Sequence, residues 1–494
     1  MNIVILGGGS AGWITALYVK RLIPSCTLTL IKNNTVGIIG VGEATTPNII
    51  DFLNFVNINP FDVIKNTEGT IKNGINFENW NGDNKKYLHG FNEHICQFRL
   101  SNSHLVGDPT FYMKNLSAKG LDFNEYTYMS KLSYAGKVDI QNTSYALHFD
   151  ANLFSKYLEQ VGISRDIKVI EGDFQSASND EFGNIASINL SDGRVFETDF
   201  VFDCSGFSRL LVGKHYEQKW ISYKKHLPMK KGIPFWIDTD DNLDPYTSAI
   251  ALKYGWMWKT PLQHRYGCGY IFDSDYITTE QALDEVETLL DRKIKINKVI
   301  DFEAGRYEKF WVKNCMAVGL SSSFIEPLES TSIFLSISQL FTFAHFVNDI
   351  KDREEHSVNR FNEIVSNNMD TTLNFIYMHY LTKRDDSEFW KNFRNNYPVP
   401  DKLKDLLEIL KTGNFRMFDT HNTKITGNFN FTGYQQVLNG LGLYDKPPTT
   451  FGQSEIYPSI EEYKRTIDYY TIFFCIPSFS GIYLKNILEI FFIH

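Results

Sequence analysis

Several groups of residues in this chain have the types and spacing to do chemistry. Gly7-Gly8-Gly9-Ser10-Ala11-Gly12 follows directly on an apolar run; glycines there let a chain turn sharply and bring a pyrophosphate against a helix N-terminus. Lys72 lies in Thr70-Ile71-Lys72-Asn73-Gly74-Ile75-Asn76. Its ammonium is able to hydrogen-bond and polarise a bound oxidant, and its neutral amine is a nucleophile; the plainer reading is a solvated lysine at a helix end. Glu326 and Glu329 stand three apart, so a helix puts them on roughly one side. A carboxylate suits stabilising positive charge or taking a proton, while the bland alternative is helix capping near Pro327 with both acids solvated. Trp256 and Trp258 alternate, as in an ordinary strand with bulky packing. The six cysteines, Cys26, Cys96, Cys204, Cys268, Cys315 and Cys475, show no short metal-ligand spacing, and no compact His/Asp set appears. No metal centre is expected, and the thiols are expected reduced and mostly buried.

The elements that must position these residues open with a β-α-β pattern. Residues 2–6 read as a strand, 13–19 as a helix after the glycine turn, and 27–31 as the next strand. Alternating patterns over 167–206 suggest strands returning toward the same sheet, and 232–312 holds further strand-like pieces such as Gly269-Tyr270-Ile271-Phe272. After about residue 328 the texture is mainly helical, above all over 333–347 and 358–377. No internal repeat or long linker divides the chain. A discontinuous nucleotide-binding core over residues 1–330, with inserted substrate-wall segments, and a mainly helical substrate-binding region over 331–494 are expected.

Composition bounds the class. The 494 residues are 43% hydrophobic and 22% charged, ordinary for a globular chain. The formal charge of −9 gives no electrostatic reason to bind nucleic acid or an anionic membrane. Met1 leads almost at once into the first strand with no basic segment or cleavage site, so a cytoplasmic protein without a signal peptide is expected. The aromatic run Tyr469 to Leu484 is interrupted by Pro477, Ser478 and Ser480 and is short for a membrane span. It is expected to pack against the body, without stable membrane insertion.

Beyond the first β-α-β unit, Gly40-Val41-Gly42-Glu43-Ala44-Thr45-Thr46-Pro47 resembles the GVGEAT-x-P segment of the flavin-dependent tryptophan halogenase family. Trp256-Met257-Trp258-Lys259-Thr260-Pro261 resembles its WxWxIP signature, with Thr260 in place of Ile. Phe324-Ile325-Glu326-Pro327-Leu328-Glu329-Ser330-Thr331-Ser332 resembles the segment joining the halide and flavin site to the catalytic acid. His148-Phe149-Asp150, Asp203-Cys204-Ser205-Gly206 and Arg384-Asp385-Asp386-Ser387-Glu388-Phe389-Trp390 extend the likeness to roughly residue 445, and the order of these pieces is more specific than any one of them.

The resemblance implies an α/β fold: an FAD-binding, Rossmann-like core of the flavin monooxygenase type, joined to a largely helical substrate-binding region. It implies FAD supplied as FADH2 by a separate NAD(P)H-dependent flavin reductase, with O2 and a halide ion as co-substrates. A small electron-rich aromatic is the implied substrate and a homodimer the implied assembly. The implied chemistry runs through a flavin hydroperoxide and enzyme-guided hypohalous acid. Lys72 then corresponds to the essential lysine, acting through hydrogen bonding or a haloamine, and Glu329 to the catalytic acid. Gly7, Gly9, Ser10, Ala11, Gly12, Lys32, Gly42, Glu43, Ala44, Thr45 and Gly319 form the implied flavin site. Thr331 and Ser332 would hold halide, with Ser332 where many tryptophan-specific relatives have Gly.

His89, Phe91 and Tyr434 correspond to the substrate wall, and Trp256 and Trp258 to a structural wall near the cofactor. Lys32 departs from the family, which usually presents Glu to the adenosine ribose at this point; a lysine accepts no hydrogen bonds. Loose FAD binding, or a lysine contact to phosphate, is the expectation. Gln435 replaces one of a pair of tyrosines in a tryptophan-specific relative, which points away from free tryptophan and leaves indoles, phenols, pyrroles and carrier-bound aromatics open. A flavin-dependent monooxygenase and a non-catalytic flavin-binding redox sensor are the competing classes.

Overall fold

The computed structural model describes residues 1–33, 42–91, 121–239, 243–296, 298–411 and 427–443, with 464–465, 468 and 476–477. Gly40 and Val41 of the GVGEAT segment, Cys96, Cys475 and nearly all of the run 469–484 lie outside the described residues. Two compact units are present. The first comprises Met1–Gly69, Phe149–Lys224 and Glu303–Asp370; the second comprises Thr70–His148, Lys225–Phe302 and Thr371–His494. The boundary at residue 330 expected from the sequence falls inside the first unit.

The first unit is built on β1 (Asn2–Leu6), α1 (Ser10–Leu22), β2 (Thr27–Lys32), α2 (Ala151–Ile163), β3 (Lys168–Glu171), β4 (Phe200–Asp203), β5 (Trp311–Val312), β6 (Cys315–Ala317) and α3 (Thr331–Ala344). Its six-stranded sheet has the order β5-β6-β4-β1-β2-β3. β1 lies parallel to both β2 and β4, while β2–β3 and β4–β6 are also parallel; only the β5–β6 pair is antiparallel. The four inner residues of β1 and all four of β4 are buried, the near-continuous apolar run expected of a parallel strand covered on both faces. From β1 the chain moves one way to β2 and β3 and the other way to β4 and β6, so the strand order reverses beside β1. In such a sheet the crevice at the strands' carboxyl ends is where a ligand binds, and Gly7 is the first residue past that end of β1.

The second unit centres on a seven-stranded sheet ordered Ile300–Asp301, Lys231–Asp238, Arg265–Phe272, Gly255–Pro261, Tyr246–Ala251, Gly74–Glu78 and Lys86–Gly90. All neighbours are antiparallel except Tyr246–Ala251 with Gly74–Glu78. One face of this sheet is covered by the helix Thr279–Leu290, whose Ala282 and Val286 join Ile233, Phe235, Met257, Tyr270 and Phe272 in a core. That helix starts with a full capping box between Thr278 and Gln281. Among the described residues no helix is long and apolar enough to cross a membrane, and no group of His, Cys, Asp or Glu is arranged to hold a metal ion. Cys26, Cys204, Cys268 and Cys315 are buried free thiols.

Candidate active site

The glycine turn of the first unit is assembled by close backbone approach. Gly7 has φ +128, and a Cβ there would lie 2.1 Å from Cys204 O; a Cβ on Gly12 would lie 2.0 Å from Gly7 O. These glycines are therefore required by the protein's own packing. Gly9 differs: it stands just before α1, and an added Cβ would meet nothing within 4 Å. An open face at the N-terminus of a 13-residue helix fits a pyrophosphate. Gly319, at φ +75, packs on Ala11, its notional Cβ 2.6 Å from the Ala11 Cβ. Ser10 Oγ meets Ser155 Oγ of α2 at 3.3 Å. The residues present thus fit the dinucleotide portion of FAD.

Lys32, at the end of β2, is engaged with carboxylates. Its Nζ is 2.7 Å from Glu159 Oε1 of α2 and 3.6 Å from Glu171 Oε1 of β3. Glu43 carries a carboxyl pushed up to about 7 by burial and by the charge of Asp150. Asp150 itself caps α2, accepting from Leu153 N at 2.9 Å. Gly42 and Thr45 are buried beside Glu43 and Ala44 in the same segment. The buried carboxylate of Asp203, unweighted by the sequence reading, organises the far side of the turn. Its Oδ2 accepts from Leu211 N and Val212 N at 2.8 and 3.0 Å, and its Oδ1 accepts from Ser205 Oγ and N.

Glu329 closes a 3-10 turn, Pro327–Glu329, and Ser330 follows in the left-handed region at φ 58 before α3 begins at Thr331. Glu326 precedes that turn, at φ −53 and ψ 138. The shared helix face expected for Glu326 and Glu329 does not form, because Pro327 starts a tight turn whose geometry is not that of an α-helix. Both acids are 1% exposed, so solvated capping is excluded as well. Ser330 provides no side-chain cap to the first turn of α3. Thr331 is buried, and Ser332 lines a narrow recess with Gly319, Ser322, Ser323 and Ser336, leaving room for roughly one water-sized particle.

In the second unit Lys72 is wholly buried at the end of the strand Thr70–Lys72, not solvated at a helix end. That strand pairs antiparallel with Ala146–Phe149, Lys72 opposite Ala146 and Thr70 opposite His148. Lys72 Nζ lies 5.5 Å from the centre of the Phe91 ring. His148 bridges two hydroxyls, Nδ1 to Thr70 Oγ1 and Nε2 to Thr247 Oγ1, each at 2.9 Å. Burial, and then the charge of Lys72, hold its imidazole well below the usual histidine range. Sequence reading placed His148 in a motif without giving it a role; its partners are remote along the chain.

Trp256 and Trp258 project from one face of their strand with ring centroids 6.2 Å apart, and Met257 enters the core on the other. Trp258 packs closely against Gly269, where a Cβ would be 2.0 Å from its ring. His89, Phe375 and Tyr434 form one aromatic group: Phe375 is 5.4 Å from His89 and 4.9 Å from Tyr434. Phe375 was missed in the sequence because a phenylalanine on a long helix carries no signal distinguishing a wall from ordinary core. The helix Phe431–Gly440 sits tightly on the strand Lys86–Gly90 through two glycines, Gly433 against His89 and Gly440 against the Tyr87 ring. Gln435 of this helix is fully buried, and among the described residues neither its Oε1 nor its Nε2 has a hydrogen-bond partner.

A Rossmann-like sheet with an open phosphate turn defines a dinucleotide-binding protein, and its separate second unit buries a lysine beside the Phe91 ring. Residues 2–454 match the family model for tryptophan halogenase. The chain is 31% identical over 437 residues to tryptophan 7-halogenase KtzQ of Kutzneria sp. (strain 744), covering 83% of this chain and 82% of that protein. It is 29% identical over 514 residues to tryptophan 7-halogenase RebH of Lentzea aerocolonigenes, covering 94% and 96%. The structure of BrvH, a flavin-dependent halogenase from Brevundimonas sp. BAL3, matches with a TM-score of 0.85 at 26% identity, covering 99% of this chain and 98% of that chain. The chain belongs to the tryptophan halogenase family. It is a flavin-dependent halogenase, an enzyme that uses FADH2, O2 and a halide ion to halogenate aromatic substrates.

Proposed function

We propose that Lys72 and Glu329 are the catalytic residues of this halogenase, and that its substrate is an electron-rich arene other than free tryptophan. The observation that carries the proposal is the complete burial of Lys72 in a strand. Removing an ammonium from water is costly, and a lysine serving only solubility has no reason to bear that cost. Reduced flavin, when bound, supplies the electrons by which O2 oxidises halide. First-turn amides at Thr331 and Ser332 hold the halide. Lys72 donates a hydrogen bond to the oxygen of hypohalous acid, which leaves the halogen as the electrophilic end. The arene forms its carbon–halogen bond as the oxygen–halogen bond breaks, and the oxygen takes a proton from the Lys72 ammonium and leaves as water. Glu329 stabilises the ring cation and accepts the ring proton.

Gly7, Gly9, Ser10, Ala11, Gly12, Lys32, Gly42, Glu43, Ala44, Thr45 and Gly319 form the flavin site. His89, Phe91 and Tyr434 line the arene site, and Trp256 and Trp258 stiffen a wall. Gln435 supports the substrate assignment: a neutral amide with donor and acceptor both unsatisfied matches a neutral polar substituent better than a charged amino-acid head. A separate NAD(P)H-dependent reductase supplies FADH2, and the protein works in the cytoplasm as a homodimer.

The test is product mass spectrometry with generated FADH2, O2, each halide in turn and a panel of indoles and phenols. Halogenated product that disappears in both Lys72→Ala and Glu329→Ala is the expected result. Flavin turnover yielding only peroxide or hydroxylated product in the folded, flavin-bound wild type would overturn the proposal.

A further inference from the structure

The end of β2 is where a dinucleotide fold ordinarily presents a carboxylate to the two ribose hydroxyls. This chain presents Lys32 there, which has donors only. The lysine stem lies over the phosphate turn, its Cβ 2.5 Å from where a Cβ on Gly8 would be. Its ammonium reaches Glu159 Oε1 at 2.7 Å, with Glu159 about a quarter exposed at 24%. On α2, Glu159 stands one turn beyond Ser155, and residues four apart share a helix face. Ser155 Oγ is the atom that meets Ser10 Oγ at the start of α1. One face of α2 therefore delivers a hydroxyl to the phosphate turn and a carboxylate to the residue beside it.

An ionised carboxylate offers about four lone-pair sites, and the lysine takes one. We infer that Glu159, mounted on Lys32, accepts the hydroxyls of the adenosine ribose, so that the acid of the usual β2 position has been moved to α2 and a cation installed to hold it. Lys32 is then a positioning residue and Glu159 the ligand. Glu171, farther from the ammonium at 3.6 Å and 63% exposed, is a peripheral counter-charge. The inference rests on the flavin-dependent assignment and adds a binding residue to it.

Calorimetric titration of the full-length protein, freed of flavin, with FAD, ADP-ribose and FMN separates the possibilities, because only the first two carry the adenosine ribose. Glu159→Gln is expected to raise Kd about tenfold for FAD and for ADP-ribose, the scale of one hydrogen bond to a charged group, with FMN unaffected. Glu171→Gln should change each by less than about twofold, and Lys32→Met should weaken FAD less than Glu159→Gln does. Glu159→Asp, which keeps the charge but withdraws the acceptor, serves if the glutamine variant does not fold, and carries the same expectation. Unchanged FAD and ADP-ribose affinity in the Glu159 variants overturns the inference; so does a loss shared equally by FMN. Silent Glu159 variants beside a damaging Lys32→Met would assign the lysine to phosphate instead. A wild-type protein that binds neither FAD nor ADP-ribose would overturn the flavin assignment itself, a result distinct from tight FAD binding that ignores Glu159.

Discussion

His148 Nδ1 and Thr70 Oγ1 are 2.9 Å apart, and the direction of that hydrogen bond is fixed by a third group. Thr70 has one hydroxyl hydrogen and gives it to Pro261 O at 2.9 Å. The shared proton therefore sits on His148 Nδ1, and Nε2 accepts from Thr247 Oγ1. The relay ties the strand that ends in Lys72 to two strands of the large sheet. Thr70→Val is expected to leave an imidazole donor and a carbonyl unsatisfied, at a cost of about 1–3 kcal/mol. Thermal unfolding would register that loss, and halogenation would fall while FAD affinity stays at the wild-type value; unchanged stability would mean that the relay is idle.

The buried imidazoles set an acid limit. His148, and His379 through burial and the charge of His89, have folded-state pKa values well below the ordinary one. Unfolded histidine titrates near about 6.5, so their contribution is complete above that pH and declines as pH falls below it toward the folded values. The slope is about 1.4 kcal/mol per pH unit for each group. Glu43 works in the opposite sense. With its folded value raised to about 7, its contribution is present at low pH and lost as pH rises through that value. Urea midpoints measured from pH 5 to 8 should fall on the acid side, and Glu43→Gln should gain stability relative to wild type above pH 7.

Removing the reactive groups should separate halide oxidation from arene halogenation. Lys72→Met, similar in length and without charge, should lower product formation by at least about 100-fold, as should Glu329→Gln. FAD affinity and hydrogen peroxide release should persist in both. Product at wild-type rates in Lys72→Met would remove the lysine from the mechanism.

The glycines of the phosphate turn should respond unequally. Gly12→Ala and Gly7→Ala place a methyl within 2.1 Å of backbone and should compromise folding. Gly9→Ala meets open space, so the flavin-free protein should melt as wild type does. Its Kd for FAD should nevertheless rise by about tenfold or more, since the methyl occupies the approach of the pyrophosphate. Flavin fluorescence titration together with thermal melts distinguishes these outcomes.

Gln435→Leu should stabilise the ligand-free protein, because it removes a buried donor and acceptor that lack partners among the described residues; about 1–3 kcal/mol is the scale of each such group. The same variant should lose affinity for arenes bearing a carboxamide and keep it for unsubstituted indole. A variant less stable than wild type would show that packing of the glutamine stem outweighs its unpaired amide.

Local periodicity and motif order determined the β-α-β opening, the parallel nucleotide-binding sheet, the helical texture after about residue 328 and the halogenase family. These depend on neighbours a few residues apart, and a glycine turn between a strand and a helix has one economical use. The tertiary structure decided what surrounds each reactive group. Lys72 reads by itself as a solvated lysine at a helix end, and its burial comes from the strand that pairs with Ala146–Phe149. Glu326 and Glu329 share a helix face only if a helix forms, and Pro327 opens a 3-10 turn instead. Thr70 meets Pro261 across 191 residues of chain, and Lys32 meets Glu159 across 127. Partners at such separations leave no local pattern; they are chosen when sheet register and helix packing bring distant side chains together, because burial makes an uncomplemented charge or hydrogen-bonding group costly.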